Sequence, residues 1–452
     1  MIISRAALGS PCTFSCRLKR SVLVLQNLHR TLFTKSTLPF PQLASSPTSK
    51  YQIFLSSSHN PFYNLSLEHY LIHKASPQST ILLLYVNDPC VVIGRYQNPW
   101  NEVNFPALRQ GSPNSTGVPL LRRRSGGGTV FHDRQNLNYC VIWPSAVLDR
   151  MKHAKMVARA IRKFNPRARV NERHDIVLDQ GNVRDDSTDG TTEGRTGFEL
   201  YGEALAERPA LKISGSAFRQ TRGRAMHHGT CLVCSKNLKS IGMYLRSPGK
   251  GFIKAGGVKS VQSPVGNVLD PDEAHPDAIE RLCISIVAEF QHLYGLQEDV
   301  VGHLRKQGGN EALWIGDHCV FGRMDEVDDE CLQKGTEELQ SYDWIYGKTG
   351  QISQFHVSSH LEGEEGSDRP SLPDDWPPGL SISFAGRYGA IVENSMKVSG
   401  DSKLSSVLKQ LESRAFNDVL NFETELSVSD EEDQSTLSMV GRWLNQVFGK
   451  TA

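Results

Sequence analysis

The segment from Leu120 to Asp133 carries residue types that together can hold an anion. It reads Leu-Leu-Arg-Arg-Arg-Ser-Gly-Gly-Gly-Thr-Val-Phe-His-Asp, so three arginines run directly into three glycines. Guanidinium groups offer paired donors to carboxylates and phosphates, and glycine lets a ligand approach main-chain N–H groups closely. The pattern predicts a strand–turn–strand corner that binds an anion. Taken alone, an ordinary hairpin beside a basic surface accounts for it equally well.

Four other segments place polar side chains at the ends of predicted strands. They are Ile-Gly-Arg-Tyr-Gln-Asn-Pro-Trp (93–100), Arg-His-Asp (173–175), Lys-Ile-Ser-Gly-Ser-Ala-Phe-Arg (212–219) and His-His-Gly-Thr (227–230). Each is weak by itself, because a lone lysine is usually solvated and a histidine pair is usually a polar corner. Adjacent strand residues point to opposite faces, so His227 and His228 do not suit one metal ion.

Hydrophobic periodicity predicts the elements that must position these segments. Helical spacing marks residues 64–73, 156–164 and 279–293, and Gly295 stands where a helix C-cap is expected. Strands are predicted at 81–86, 91–93 and 138–143, a hairpin at 380–384 and 390–394, and helices at 403–416 and 437–448. The chain is therefore expected to be mixed α and β (α+β).

The first 50 residues have the composition of a mitochondrial transit peptide. They carry seven Lys or Arg and no acidic residue, and they are rich in Ser and Thr. Removing those seven positive charges from the formal net charge of +1 leaves the remainder near −6, which argues against a general nucleic-acid binder. No apolar run approaches the roughly 20 residues of a membrane span. We expect a soluble protein of the mitochondrial matrix, without nucleic-acid or membrane partners.

The expected organisation is a leader at 1–50 followed by two domains, at 51–322 and 323–452. Polar composition predicts an insertion at about 180–208, and an acidic, proline-containing one at about 358–379. Nine scattered cysteines, an odd number, favour reduced thiols over a disulfide framework.

Taken together and in order, these segments resemble the lipoate–protein ligase A and lipoyltransferase family. The resemblance covers roughly residues 55–350. It rests on Ile93-Gly-Arg-x-Gln-Asn-Pro-Trp100, Arg122-Arg-x-Ser-Gly-Gly-Gly-x-Val-Phe-His-Asp133, Lys212-Ile-Ser-Gly-Ser-Ala-x-Arg219, His227-His-Gly-Thr230 and Gly257-Val-Lys-Ser-Val-Gln-Ser-Pro-Val-Gly-Asn267, with Asn64-Leu-x-Leu-Glu68 and Trp344-Ile-Tyr-Gly-Lys-Thr349 as outer members.

The resemblance implies a catalytic domain of the biotin/lipoate-ligase type, related to class II synthetases, and a small C-terminal α/β accessory domain. It implies that lipoate is activated with ATP and Mg²⁺ to lipoyl-AMP. The acyl group then passes to a lysine of a lipoyl domain, in the E2 subunits of 2-oxoacid dehydrogenases or in the glycine-cleavage H protein. The enzyme is expected to act as a monomer.

The resemblance also implies roles for individual residues. Lys212 is the expected catalytic cation, and Asp175 the expected Mg²⁺ ligand. The expected substrate and adenylate contacts are Arg95, Arg123, Ser125, Gly126, Gly127, Gly128, Thr129, His132, Ser214, Gly215, Arg219, His228 and Gly229. Three further residues, Arg122, Asp133 and His227, are expected to brace the site.

Several positions depart from the family pattern. Arg124 stands where a small or polar residue is frequent, and His174 where Asn is usual. Gln262 replaces an expected Arg and Gly256 a frequent Lys, in the segment that the resemblance associates with covering the adenylate. Both losses affect ATP activation more than acyl transfer, although Lys254 and Lys259 lie nearby.

Four alternatives remain open. One is a lipoyl or octanoyl transferase on the same fold without ATP activation. A cysteine-dependent octanoyltransferase would need an activated thiolate. A metal hydrolase would use the histidines and Asp133. A non-catalytic module would bind lipoate or its adenylate without turnover.

Overall fold

The structure is a computed structural model. It describes residues 39–110, 117–145, 149–180, 209–221, 223–306, 312–315, 318–349, 353–358, 371–416, 418–419, 421–427 and 434–448. Residues from Phe40 onward form one compact unit. Most of both predicted insertions, and the leader up to residue 38, lie outside the described residues.

Eighteen strands are present in the described residues. They are β1 (Tyr51–Ser56), β2 (Thr80–Val86), β3 (Cys90–Ile93), β4 (Leu120–Arg122), β5 (Val130–His132), β6 (Asn136–Pro144), β7 (Ala168–Val170), β8 (Ile176–Leu178), β9 (Leu211–Ser214), β10 (Ser216–Thr221), β11 (Arg224–Leu232), β12 (Ile253–Ala255), β13 (Ala312–Ile315), β14 (Cys319–Met324), β15 (Ser353–Ser358), β16 (Ser381–Arg387), β17 (Ala390–Ile391) and β18 (Lys397–Ser399).

The helices follow the same numbering by chain order. They are α1 (Phe40–Ser45), α2 (Pro61–Lys74), α3 (Pro99–Glu102), α4 (Phe105–Gln110), α5 (Arg150–Arg162), α6 (Leu238–Leu245), α7 (Ala278–Tyr294), α8 (Val300–Lys306), α9 (Glu330–Gln340), α10 (Ser402–Lys409), α11 (Phe422–Leu426) and α12 (Gln434–Val447), with a π-helix at Asp343–Gly347. None of the helices in the described part of the chain is long and apolar enough to cross a membrane.

A seven-stranded sheet in the order β10-β11-β6-β2-β1-β14-β13 is the centre of the molecule. Strand β1 runs parallel to both neighbours, and the other pairs are antiparallel. Alternate residues of β2 serve opposite faces: Leu83 packs with α1 and α2, whereas Leu82 and Leu84 pack with α5 and α7. The continuous apolar run of β2 therefore reflects a strand covered on both faces.

Two small sheets carry the predicted functional segments. Strand β3 lies between β4, its parallel partner, and β5, its antiparallel partner, so the glycine run is the connection from β4 to β5. The second small sheet, β7-β8-β9, places Lys212 on β9 opposite Val177 of β8.

A further sheet, β12-β15-β16-β17 with β18 on β16, holds most of the C-terminal strands. The predicted hairpin is confirmed as β16 and β17. The predicted boundary between residues 322 and 323 falls inside β14, which pairs along its length with β1. Strand β12, from the predicted catalytic part, also pairs with β15. The two-domain division stays a prediction.

One predicted boundary was wrong. The helix expected at 403–416 ends at Lys409, and Ser413 beyond it has a left-handed conformation (φ 65°). The leader expected to extend to residue 50 includes α1, which belongs to the fold. Leu43 is buried, and the Gln52 side chain donates to the Ala44 carbonyl oxygen at 2.8 Å. The extent of the leader stays a prediction.

Candidate functional site

The connection from β4 to β5, residues 123–129, is called the glycine corner here, and it packs tightly against the end of β3. A Cβ at Gly94 would collide with the carbonyl oxygen of Gly127, so that position admits no side chain. Gly127 itself has φ +90°, a conformation that side chains disfavour. The backbone path therefore requires glycine at positions 94 and 127.

Arg123 fastens the corner from inside. Its Nη2 donates to the carbonyl oxygens of Gly126 at 2.6 Å and Gly128 at 2.7 Å, its Nη1 to Val92 at 3.2 Å, and its Nε to the Ser125 hydroxyl at 3.1 Å. Burial lowers the pKa of this guanidinium to about 10. Although Arg123 lines the cavity described below, its donors are already engaged with the loop. Its expected contact with the adenylate stays a prediction.

Arg122 ties the corner to the segment after α9. Its Nε donates to the Ile345 carbonyl oxygen at 2.8 Å, its Nη1 to that of Gln97 at 2.8 Å, and its Nη2 to the Thr349 hydroxyl at 2.9 Å. Trp344 donates in return to the Arg122 carbonyl oxygen at 2.7 Å. These contacts are those of a bracing residue.

Lys212 lies opposite the corner and faces an acid. Its Nζ is 2.9 Å from Oδ1 of Asp175, which is itself buried. A turn sets this carboxylate: the Asp175 N–H bonds the Asn171 side chain at 3.0 Å, and His174 has φ 63°. A Cβ at Gly215 would lie 3.0 Å from the Lys212 Cε, so glycine leaves room for the lysine side chain.

Lys212 and the glycine corner line one cavity of about 290 Å³. Ten predicted site residues line it: Arg123, Gly127, Gly128, Thr129, His132, Asp175, Lys212, Gly215, His228 and Gly229. Apolar residues complete its inner wall, among them Leu65, Val92 and Val130. We call this the first cavity.

A second cavity of about 560 Å³ adjoins it. The two share seven lining residues, namely Thr129, Val130, Lys212, Gly215, Thr230, Ser260 and Val261. The rest of the second cavity includes Ser214, another predicted site residue, and an apolar wall with Leu232 and Ile241. Lys212 thus stands where the two cavities meet.

His228 belongs to a chain of buried polar side chains. Its Nε2 is 2.6 Å from the Ser125 hydroxyl, and its Nδ1 donates to Glu68 at 2.8 Å. Tyr85 donates to the same carboxylate at 3.0 Å. Sequence reasoning noticed the segment that contains Glu68 but gave Glu68 no role, because nothing along the chain shows that α2 faces β11.

His132 is buried in the first cavity wall as a neutral imidazole. Burial, followed by the charge of Arg123, lowers its pKa to about 3. Its Nδ1 is 3.0 Å from the Asn87 amide nitrogen, which can only donate, so the histidine proton lies on Nε2. Sequence reasoning gave Asn87 no role in the site.

The segment 257–261 lies over the glycine corner. The Ser260 hydroxyl accepts from the Thr129 N–H and from the Gln97 amide, both at 3.0 Å, and the Ser260 N–H bonds the Glu102 carboxylate at 3.2 Å. Lys259 lines the first cavity and Gln262 the second, whereas Lys254 lines neither. Sequence reasoning missed Ser260 and Glu102.

Comparison with known proteins identifies the family. Residues 60–291 match the model of the family described as "Lipoyl protein ligase A/B catalytic domain". A Schizosaccharomyces pombe relative, named "Putative lipoate-protein ligase A", is 33% identical over 70% of this chain and 74% of its own. Lipoyl amidotransferase LIPT1, mitochondrial, of Mus musculus is 30% identical over 83% of this chain and 91% of its own. The chain belongs to the lipoyl protein ligase A/B family.

Membership makes this chain an enzyme of the lipoate–protein ligase and lipoyltransferase class. It confirms the expected mixed α and β catalytic domain of the lipoate-ligase type. Among solved structures, P. falciparum LipL1 in complex with lipoate is 19% identical, covers 88% of this chain and 99% of its own, and has a TM-score of 0.45.

Four predicted site residues of this family member lie elsewhere. Arg95, Ser125, Gly126 and Arg219 line a third cavity of about 410 Å³, which shares no lining residue with the other two. Their expected contacts with substrate or adenylate stay predictions.

The remaining acids and histidines do not assemble a metal cluster. In the described ranges, no three His, Cys, Asp or Glu residues are placed to hold an ion. His227 stacks on Phe218 at 4.1 Å, on the face of β11 away from Glu68. Asp133 accepts from the Gln135 N–H and the Asn237 amide, which is a bracing arrangement.

The described cysteines are free thiols, and none lines the first or second cavity. Burial raises the pKa of Cys231 to about 12, which disfavours the thiolate. The geometry therefore gives no support to a cysteine nucleophile among these residues.

Proposed function

We propose that this enzyme activates lipoate with ATP, forming lipoyl-AMP, and transfers the lipoyl group to a lysine of a lipoyl domain. The carboxylate of lipoate attacks the α-phosphorus of ATP and pyrophosphate leaves. The acceptor amine then attacks the acyl carbon, forms an amide and expels AMP.

The meeting of two cavities at Lys212 is the observation that carries this proposal. An acyl adenylate has two bulky ends joined by a mixed anhydride. The first cavity offers an apolar wall for the acyl chain, and the second offers the larger space for a nucleoside. The anhydride then lies beside the Lys212 ammonium, where a fixed charge stabilises both transition states.

Magnesium fits this proposal only as a partner of bound phosphate. Asp175 is the single carboxylate among the described residues that line the first cavity, and its Oδ1 already faces Lys212. Mg²⁺ is commonly held by one or two carboxylates together with substrate phosphates. Asp175 would supply the protein ligand, and the ion would neutralise phosphate charge.

The proposal includes the acceptors and the compartment. The acceptors are lipoyl domains of E2 subunits and the H protein, and the compartment is the mitochondrial matrix. Two observations support the compartment: the basic, acid-free leader and the similarity to a mitochondrial amidotransferase of mouse.

Pyrophosphate release tests activation separately from transfer. The protein is incubated with lipoate, ATP and Mg²⁺, with and without an apo lipoyl domain, and both pyrophosphate and acceptor mass are measured. Activation predicts lipoate-dependent pyrophosphate without acceptor, and one added lipoyl group with it. Acceptor modification from supplied lipoyl-AMP, with no pyrophosphate from ATP, would contradict the ATP step.

A transferase without ATP activation is the second candidate. The similarity to lipoyl amidotransferase LIPT1 favours it, as do Gln262 and Gly256, where two cations are absent. Supplying lipoyl-AMP, octanoyl-AMP or a lipoylated donor domain in place of lipoate and ATP identifies the acyl donor that such an enzyme uses.

A further inference from the structure

Among the described residues that line the third cavity, three are arginines and none is acidic. Its lining is Arg95, Tyr96, Arg124, Ser125, Gly126, Phe218, Arg219, Gln220 and Trp344. Of the three arginines, Arg124 has an acidic partner, Glu338 at 2.7 Å, and Glu338 is half exposed. Among the described residues, Arg95 and Arg219 form no salt bridge, so the cluster carries an excess of positive charge.

The Trp344 ring makes cation–π contacts with two of these arginines. The Arg95 guanidinium carbon lies 4.2 Å from the Trp344 ring centroid, and that of Arg124 lies 4.6 Å from it. Lys348 approaches the same ring at 5.6 Å. Cation–π attraction offsets only part of the mutual repulsion of three like charges.

Two guanidinium nitrogens in this cluster lack a partner. Nη1 of Arg95 and Nε of Arg124 are buried, and neither has a hydrogen-bond acceptor among the described residues. The Arg124 side chain is only 9% exposed. A buried donor left unsatisfied is unfavourable, so an acceptor supplied from outside would stabilise this arrangement.

The third arginine gains no charge compensation from its neighbour. Nη1 of Arg219 lies 3.0 Å from Nδ1 of His69. Burial, and then the charges of Arg124 and Arg219, lower the pKa of His69 to about 3, so this histidine accepts as a neutral ring. Burial, followed by Arg124 and Arg95, lowers the pKa of Arg219 as well.

We propose that Arg95, Arg124 and Arg219 form a second anion site, distinct from the cavities at Lys212, that binds a phosphate-class dianion. The uncompensated charge matches a dianion better than a single carboxylate. Free phosphate, pyrophosphate and a nucleotide phosphate share this chemistry. The inference does not depend on whether ATP activation takes place.

The site touches the back of the glycine corner. Ser125 and Gly126 line the third cavity, whereas Gly127 and Gly128 line the first. Ser125 also bonds His228, which lines the first cavity. An anion held by the three arginines therefore lies against the loop that separates it from the Lys212 cavity.

Calorimetry with inorganic phosphate and pyrophosphate tests the site in the full chain at constant ionic strength. The Lys212→Ala variant, which weakens binding in the first cavity, should retain one phosphate site with unchanged affinity. Adding Arg124→Ser to that variant should raise the Kd of this site at least about tenfold, or about 1.4 kcal/mol. AMP competition distinguishes a nucleotide phosphate from a free anion.

Lys348→Ser is the matched control. Lys348 is exposed and contacts the same ring but does not line the cavity, so its loss should change the Kd less than about twofold. Arg219→Gln should weaken phosphate binding as Arg124→Ser does. Should Arg124→Ser disturb the fold, judged by thermal unfolding, Arg219→Gln decides the matter. Unchanged phosphate affinity in a folded Arg124→Ser or Arg219→Gln variant, or no phosphate site in Lys212→Ala, would overturn the proposal.

Discussion

Among the described residues, the Lys212 ammonium pairs with the Asp175 carboxylate, and it lines both cavities at the place where they meet. Arg123, by contrast, donates its hydrogen bonds to backbone carbonyl oxygens of the glycine corner and of β3. The two cations were predicted to share the chemistry. The geometry divides them into one that faces the ligand space and one that holds the loop.

Replacing Lys212 by alanine should lower lipoyl transfer about 10²- to 10³-fold, because a preorganised charge would be lost at the anhydride. The measurement is the acceptor lipoylation rate by mass spectrometry. Lys254→Ala is the control, since this exposed lysine on β12 lines neither cavity and should retain the wild-type rate. A Lys212→Ala rate within threefold of wild type would refute the role of Lys212.

Replacing Glu68 by glutamine should lower the transfer rate about 10- to 100-fold. The change removes a charge-assisted hydrogen bond of about 1.5–3 kcal/mol that orients the His228 ring. Since Glu68 acts through His228, we expect kcat to fall while the KM for lipoate stays nearly constant. A purely structural role would instead reduce the melting temperature and leave the kcat of the folded fraction unchanged.

At the scale of elements, much of the secondary structure follows from local patterns. The predicted helix at 64–73 lies inside α2, and the predicted strand at 138–143 inside β6. The predicted C-terminal end of α10, at residue 416, was wrong. The helix ends at Lys409, and that end depends on how the chain beyond it packs. Periodicity does not predict which strands pair with each other. An example is β12, which lies in the first predicted domain but pairs with β15 of the second.

The close contact between β3 and the glycine corner gives a test by paired substitutions. Gly94→Ala should destabilise the protein by about 1–3 kcal/mol, because the added methyl group meets backbone that must move. Gly126→Ala is its control, since no atom of the described residues other than Gly126 and its two chain neighbours lies within 4 Å of the added Cβ. The measurement is the free energy of unfolding in urea. Equal stability of the two variants would show that the corner can shift freely.

At the scale of the whole molecule, α1 joins the fold at the edge of what was expected to be a leader. Leu43→Ala should lower the free energy of unfolding by about 2–5 kcal/mol, as for other buried leucines. Gln42→Ala, at an exposed position of the same helix, should change it by less than about 0.5 kcal/mol. A Leu43→Ala protein as stable as wild type would mean that α1 contributes nothing to the folded unit.

Buried neutral histidines make stability depend on pH. Burial lowers the pKa of His69, His132 and His153 to about 3 each, from the ordinary histidine value of 6.5. Between these values the unfolded chain binds more protons than the folded one, so stability is full above about pH 6.5 and falls as the pH drops towards 3. Each histidine contributes a slope of at most about 1.4 kcal/mol per pH unit.

His153 is the clearest of the three to test, because it lines none of the three cavities. His153→Gln should reduce the slope of unfolding free energy against pH, between pH 6 and 4, by up to one proton. Urea unfolding at several pH values measures it. A slope identical to that of the wild type would show that His153 is not a buried neutral base.

The sequence by itself determined the family, the mixed α and β class, the glycine corner and the lysine opposite it. Those features depend on residue types at fixed spacing, and both the types and the spacing can be seen directly in the sequence. Only the tertiary structure decided that Glu68 orients His228, that Asn87 fixes the His132 proton, and that Arg95 and Arg219 lie in a cavity apart from Lys212. These are contacts between residues distant in sequence, and their partners are set by how the sheets pack.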